Sequence, residues 1–317
     1  MLVTRRISLD TVQEAAGHVY RAAVRTPLVR VELPGPVELY LKLETLQPIG
    51  SFKIRGAYNA MRQLTPAQLA AGVWTVSAGN AAQGVALAAR LLGAPCSVLV
   101  MDTAPQAKLQ AIARLGATIV TATYEECWRT VENHRSDRMP GTFVHPFDDD
   151  GFISGNGTLA LEILEDLPDV GTVVAPIGGG GLLAGIGCVM RTLRPEAKIL
   201  AAEPETAAPL ASSLAADRPG YFPGWRASFV DGAGGRSVLP SMWPLLRTWV
   251  DGSIVVSLDE AARAMRLTAE RARVIAEGAA GCAVAAALRS EARHGKTVAV
   301  VSGGNIDLSR FSELVHA

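Results

Sequence analysis

Four short stretches of this chain carry residue types able to do chemistry. In GSFKIRGA, Lys53 stands between Phe52 and Ile54, in a run whose apolar positions Phe52, Ala57 and Ala60 predict a helix capped by Ser51. No acid lies near it in the sequence to pair an ammonium. An apolar setting favours the uncharged, nucleophilic amine, because desolvation depresses an amine pKa. In APIGGGGLLAGIG, four glycines, Gly178, Gly179, Gly180 and Gly181, separate a strand-like run from a helical one. Glycines let backbone N–H groups converge and a helix start adds partial positive charge, so the segment reads as a phosphate cradle. SAGNAAQG places Ser77, Gly79 and Asn80 at a second strand-to-helix step, where amide donors suit a carboxylate, although Asn80 reads equally well as a plain helix cap. VAVVSGGN ends a strand on the hydroxyl of Ser302, which two glycines leave open to close approach.

Regular elements must bring these stretches together. VELYLKLE, VWTVS, CSVLV, TIVTA, TFVH, TVVAP, KILAA, SIVVS and TVAVVS read as buried strands, with helix-length segments such as AQGVALAARLL and QAKLQAIARL between them. That alternation predicts an α/β fold of largely parallel sheets covered by helices on both faces. Ligands of such sheets collect at the C-terminal strand ends, where the glycine run, SAGN and Ser302 fall. Gly72 to Phe147 holds four strands and three helices, enough for a compact lobe. The expected organisation is a discontinuous larger domain, residues 1–71 and 148–317, a small mobile domain, 72–147, and a cleft between them. The least regular segment is Pro204 to Pro244, which includes the aromatic loop YFPGWRASF.

Thirty basic and thirty acidic residues cancel, so charge points to neither nucleic acid nor an anionic membrane as partner. No apolar run approaches the roughly 20 residues of a membrane span and the start lacks a secretory signal, which predicts a cytoplasmic protein acting on a small molecule. Cys96, Cys127, Cys188 and Cys282 are too scattered for a metal motif and read as free buried thiols. His18, His134, His145, His294 and His316 are equally dispersed and read as structural or surface groups.

Two cofactor chemistries compete for the glycine run. Gly179, Gly181 and Ala184 satisfy G-x-G-x-x-A, and Glu203 ends the next strand where a ribose-binding acid belongs, which would make a nicotinamide-dependent oxidoreductase. That reading leaves Lys53 and Ser302 without a task. A pyridoxal 5'-phosphate (PLP) enzyme uses every stretch: a lysine for the Schiff base, a glycine loop for the phosphate and a polar partner for the ring nitrogen.

With TPL at Thr26 to Leu28, SFKIRGA, SAGN, GGGGL, AAEP at Ala201 to Pro204, DG at Asp231 and Gly232, EGA at Glu277 to Ala279 and SGGN in this order, the chain strongly resembles fold-type II PLP enzymes. The resemblance is to the threonine/serine dehydratase and serine racemase group. It implies a tryptophan synthase β-like fold of two lobes, each with a mainly parallel twisted sheet covered by helices, and a homodimer. It further implies that Lys53 binds the cofactor covalently and later acts as base on Cα, that Phe52 packs on the ring and that Asn80 bonds the ring's 3-hydroxyl. Gly178 to Gly181 and Leu182 would hold the phosphate and Ser302 the ring nitrogen. Ser77, Ala78, Gly79, Asn80 and Ala81 would form the loop that grips the substrate carboxylate. The implied reaction is β-elimination of water from an L-3-hydroxy amino acid, threonine or serine, to a 2-keto acid and ammonia.

The chain also departs from the group. Racemases resembling it carry serine at the position of Ala78, so efficient racemisation is not expected. Dehydratases usually have histidine at Ala81. The aromatic loop reads first as packing or a dimer contact; if it lines the cleft, then with the smaller wall it suits a bulky β-aryl substrate such as phenylserine as the alternative. A divalent-cation site would need an acid at Pro209 beside Glu203 and the Ala207 carbonyl, so no metal is expected. The sequence given ends soon after its last strand, so feedback control through a C-terminal regulatory domain is not expected. A PLP-binding homologue without turnover is the non-enzymatic rival.

Overall fold

The computed structural model describes residues 5–33, 37–292 and 294–316; the ends of the chain, 1–4 and 317, and residues 34–36 and 293 lie outside it. Among the described residues ten strands form two sheets. The first, in the order β1-β2-β10-β7-β8-β9, contains Leu28–Val31, Leu39–Leu43, Lys296–Val301, Val170–Pro176, Lys198–Pro204 and Gly252–Val256. The second, β5-β4-β3-β6, contains Thr118–Ala122, Cys96–Met101, Val73–Val76 and Thr142–Phe143. Every pairing is parallel except β1 with β2, which is antiparallel. β1 is a strand that the β-branched runs did not announce.

The helices are α1 (Leu9–Val19), α2 (Lys53–Met61), α3 (Pro66–Ala70), α4 (Asn80–Leu92), α5 (Gln106–Arg114), α6 (Tyr124–Asn133) and α7 (Asp150–Asp166). They continue as α8 (Gly181–Leu193), α9 (Pro209–Ala216), α10 (Trp243–Trp249), α11 (Leu258–Ala272), α12 (Gly278–Ala287) and α13 (Leu308–His316). Among the described residues none is long and apolar enough to cross a membrane.

Alternation along the central strands divides the core. On β10, Val298 and Val300 face the cluster built with α7, α8 and α10, while Ala299 and Val301 face the one built with α11 and α12. In the second sheet Trp74 and Val76 pack toward α6, and Val73, Val98 and Val100 toward α2, α4 and α5. Burial on both faces is why these strands read as continuous apolar runs. Parallel strands also point their C-terminal ends one way, so the turns after β3, β6, β7 and β10 open on a common space between the sheets.

Candidate active site

A cavity of about 510 Å³ occupies that space. It is lined by all thirteen residues singled out from the sequence: Phe52, Lys53, Ser77, Ala78, Gly79, Asn80, Ala81, Gly178, Gly179, Gly180, Gly181, Leu182 and Ser302. Lys53 is the first residue of α2. Ser51 does not cap that helix: Phe52 is the N-cap, without a side-chain bond, while Ser51 bridges to Gly303 and its buried hydroxyl finds no partner. Phe52 in turn donates its N–H to the carbonyl of Ser302 at 3.0 Å, which fastens the start of α2 to the end of β10.

The Lys53 amine donates to the carbonyl of Pro146 at 2.6 Å. Burial lowers its pKa to about 8, and the one opposing influence is Glu277, an acid brought in from the far end of the chain. The amine also lies 5.2 Å and 5.3 Å from the ring centres of Phe52 and Phe152.

Opposite the lysine, β7 ends at Pro176 and α8 begins at Gly181. The turn requires glycine at Gly180, whose φ is +94°, and at Gly179, where a Cβ would stand 2.2 Å from the Phe147 ring. Helix starts lack carbonyls one turn earlier, and among the described residues none of the N–H groups of Gly178 to Leu182 donates to another backbone group. A set of orphan amides at a helix N-terminus fits a phosphate. The first turn of α4 is similar: Gly79 is its N-cap without a side-chain cap, and its amide donates to the hydroxyl of Ser77 at 3.1 Å. Asn80 does not cap. Its Nδ2 donates to Glu277 at 2.8 Å and its Oδ1 accepts from Asn305 at 2.7 Å. An amine, two amide cradles and a strand-end hydroxyl around one cavity fit a phosphorylated aldehyde cofactor together with an amino acid.

Three further features shape the site. Glu277 lines the cavity almost fully buried, and burial followed by the Asp231 charge raises its carboxyl to about 7. The EGA motif marks it in the sequence, directly before the small-residue helix, without assigning the acid a place in the site. The second is the segment after β6. His145 Nδ1 accepts the amides of Phe147 at 3.3 Å and Asp148 at 2.7 Å, while Nε2 meets the Val131 carbonyl at 3.1 Å. Burial and the neighbouring His134 lower its pKa to about 3, so the ring is neutral. Although His134, His145 and Asp148 converge, both His145 nitrogens are thereby occupied. Burial would raise Asp148, but bonds from His134, Ser241 and Arg5 hold it well below the usual carboxylate range. The third is the aromatic loop. Trp225 lines the cavity, and Arg236 stacks on Tyr124 and Trp225 with centroid distances of 4.1 Å and 4.5 Å. Tyr221 is exposed and bonds Glu132.

Glu203 lies outside the cavity. Its carboxylate accepts from the amides of Leu210 and Ala211, each at 2.8 Å, and from Ser253 Oγ at 2.6 Å, while burial raises its pKa. The four cysteines are free and buried.

A family model described as pyridoxal-phosphate dependent enzyme matches residues 19–303. The chain is 38% identical to an L-threonine ammonia-lyase of Thermotoga maritima, over 98% of this chain and 78% of that protein. It is 35% identical to a catabolic L-threonine dehydratase of Staphylococcus aureus, over 98% of this chain and 92% of that one. Among solved structures, maize serine racemase superposes with a TM-score of 0.88 at 32% identity, covering 98% of this chain and 97% of the other. The processed form of threonine deaminase isoform 2 from Solanum lycopersicum gives 0.85 at 30% identity, covering 100% and 96%.

Proposed function

The chain belongs to the pyridoxal-phosphate dependent enzymes, and on that premise we propose that it is an ammonia-lyase of L-3-hydroxy amino acids, threonine and serine, yielding the 2-keto acid and ammonia. The observation that carries the reading is the Lys53 amine, with its proton affinity brought toward neutrality, sharing one cavity with the orphan amides of Gly178 to Leu182 and with the start of α4. Bound there, the cofactor supplies an aldehyde for the amines of Lys53 and substrate and an electron sink that acidifies Cα. The amides of Gly178 to Leu182 would hold its phosphate, Phe52 would pack against its ring, Asn80 would bond the ring's 3-oxygen and Ser302 Oγ would meet the ring nitrogen. Ser77, Ala78, Gly79, Asn80 and Ala81 hold the substrate carboxylate, so the Cα–H bond is presented to Lys53. Lys53 Nζ then takes the Cα proton as general base. A hydroxyl at Ser302, unlike a carboxylate, does not enforce protonation of the ring nitrogen, which suits prompt loss of a β-substituent. Ala78 has no acid or base for the opposite face, which disfavours racemisation.

A second reading, the same elimination from a β-aryl substrate such as phenylserine, is favoured by one wall of the cavity. Ala81, Leu99, Met101, Cys127, Trp128 and Val131 line it from three elements, and the side chain of Ala81 ends at Cβ. Keto acid and ammonia release should be measured across threonine, serine and both phenylserine diastereomers. Turnover of the small substrates with weak activity on phenylserine supports the first reading, the reverse order the second, and release from none of them overturns both.

The same proposal takes residues 72–147 as a small mobile lobe and residues 1–71 and 148–317 as the larger, cofactor-binding one. It is supported by the second sheet lying between Val73 and Phe143. A homodimer working in the cytoplasm, with neither nucleic acid nor membrane as partner, completes it. Both rest on the family resemblance and the balanced charge, and light scattering of the purified protein tests the dimer.

A further inference from the structure

Glu277 occupies the N-cap position of α12, where an acidic side chain would ordinarily turn back to the first helical amides. It makes no such bond. Its own N–H donates to the carbonyl of Gly303 at 3.0 Å, and its carboxylate leaves the helix to accept from Asn80 Nδ2 at 2.8 Å. Asn80 Oδ1 is held by Asn305 Nδ2 at 2.7 Å, and Asn305 Nδ2 donates as well to the carbonyl of Ile49 at 2.8 Å. One run of polar groups thus joins the starts of α12 and α4, the end of β10 and the approach to α2. The carboxyl fits only because two neighbours lack side chains: a Cβ at Gly303 would stand 2.7 Å from its Oε1, and one at Gly232 3.1 Å.

We propose that Glu277 is a positioning residue that clamps the Asn80 carboxamide from one side while Asn305 holds it from the other, leaving the second N–H of Asn80 Nδ2 for the cofactor. This rests on the reading of Asn80 as a cofactor-binding residue. An ionised carboxylate can only accept, so it admits Asn80 with Nδ2 toward it and no other way. A protonated Glu277 can also donate, and that discrimination is lost. The clamp therefore answers to pH. The charged groups around Glu277 are Lys53 on α2, Asp231 in the loop beside Gly232, and Lys108 on α5, which pairs with Asp231. Burial and Asp231 favour the protonated acid, whereas Asn80, Lys108 and the Asn305 amide favour the carboxylate, with a midpoint of about 7.

The test uses Glu277→Gln, Glu277→Ala and Asn80→Ala, with no substrate present. The absorption spectrum of the resting holoenzyme is titrated across about pH 5 to 9, and PLP affinity is measured on each apoenzyme. The unaltered protein should show a spectral step near neutrality that both Glu277 variants lack. Glu277→Ala should weaken PLP binding about tenfold, the size of one lost hydrogen bond to a charged group. Glu277→Gln, which keeps an acceptor for Asn80, should recover most of that loss. A step that survives in Glu277→Gln, or PLP affinity unchanged in Glu277→Ala while Asn80→Ala weakens it, overturns the clamp. Unchanged affinity in Asn80→Ala overturns instead the cofactor-binding role of Asn80, and the clamp with it.

Discussion

Helix α2 presents two cations two residues apart, and they meet opposite fates. At about 100° per residue Lys53 and Arg55 point to opposite sides of the helix. Arg55 is fully buried between Glu44, at 2.8 Å, and Glu162, at 2.6 Å. Lys42 joins Glu162 at 2.5 Å, and Thr26 and Tyr20 satisfy further carboxylate oxygens. Two cations and two anions cancel, and despite its burial the Arg55 guanidinium is held even more firmly charged than usual by Glu44 and then Glu162. Across the helix, Lys53 has one carbonyl and Glu277 only the amide protons of Asn80 and Asn305, with no ion pair for either among the described residues. Burial is common to both sides. What differs is whether the partner set is complete, and that decides whether a buried charge becomes fixed or comes within reach of neutral pH.

Breaking each side should show this. Lys53→Met should lower turnover by at least about 10⁴-fold, read as keto acid release, without lowering fold stability. In the cofactor-free protein folding depresses the amine from 10.5 to about 8, so its protonation favours the unfolded chain. The variant should therefore be the more stable form below about pH 8, with the advantage fading as pH rises toward 10.5, in denaturant titrations at several pH values. Arg55→Met leaves two buried carboxylates with one cation and should cost about 3–5 kcal/mol in urea unfolding. Gly179→Ala pushes a methyl into the Phe147 ring and should cost about 1–3 kcal/mol, with weaker PLP binding in an apoenzyme titration. Arg266→Ala removes an exposed pair with Glu270 and should change stability by no more than about 0.5 kcal/mol.

The β-branched runs marked nine of the ten strands described: β2, β3, β4, β7, β8 and β10 are largely buried, so their apolar composition is the direct trace of burial, while the half-buried β5, β6 and β9 were marked by their β-branched and aromatic residues. LVRV, with its exposed arginine, carries no such trace, and its antiparallel edge went unmarked. That the motifs meet at one cavity was legible because three of the four lie at C-terminal ends of parallel strands and the fourth, the start of α2, bonds to one of those ends. The partners themselves were not legible. Nothing local at Arg55 announces Glu44 and Glu162, and nothing near Lys53 announces Pro146 or Glu277, because each contact is made by chain crossings remote in sequence. Ser51 misled for a related reason: the β-bridge to Gly303 outcompeted a local cap.

Helix α2 packs against α4, which follows the SAGN turn, and against α7 of the larger sheet's covering layer. It thus touches a helix that covers each sheet, and a Cβ at Gly84 of α4 would stand 3.0 Å from the Lys53 carbonyl oxygen. A displacement of α4 against α2 would therefore press directly on the residue that carries the reactive amine.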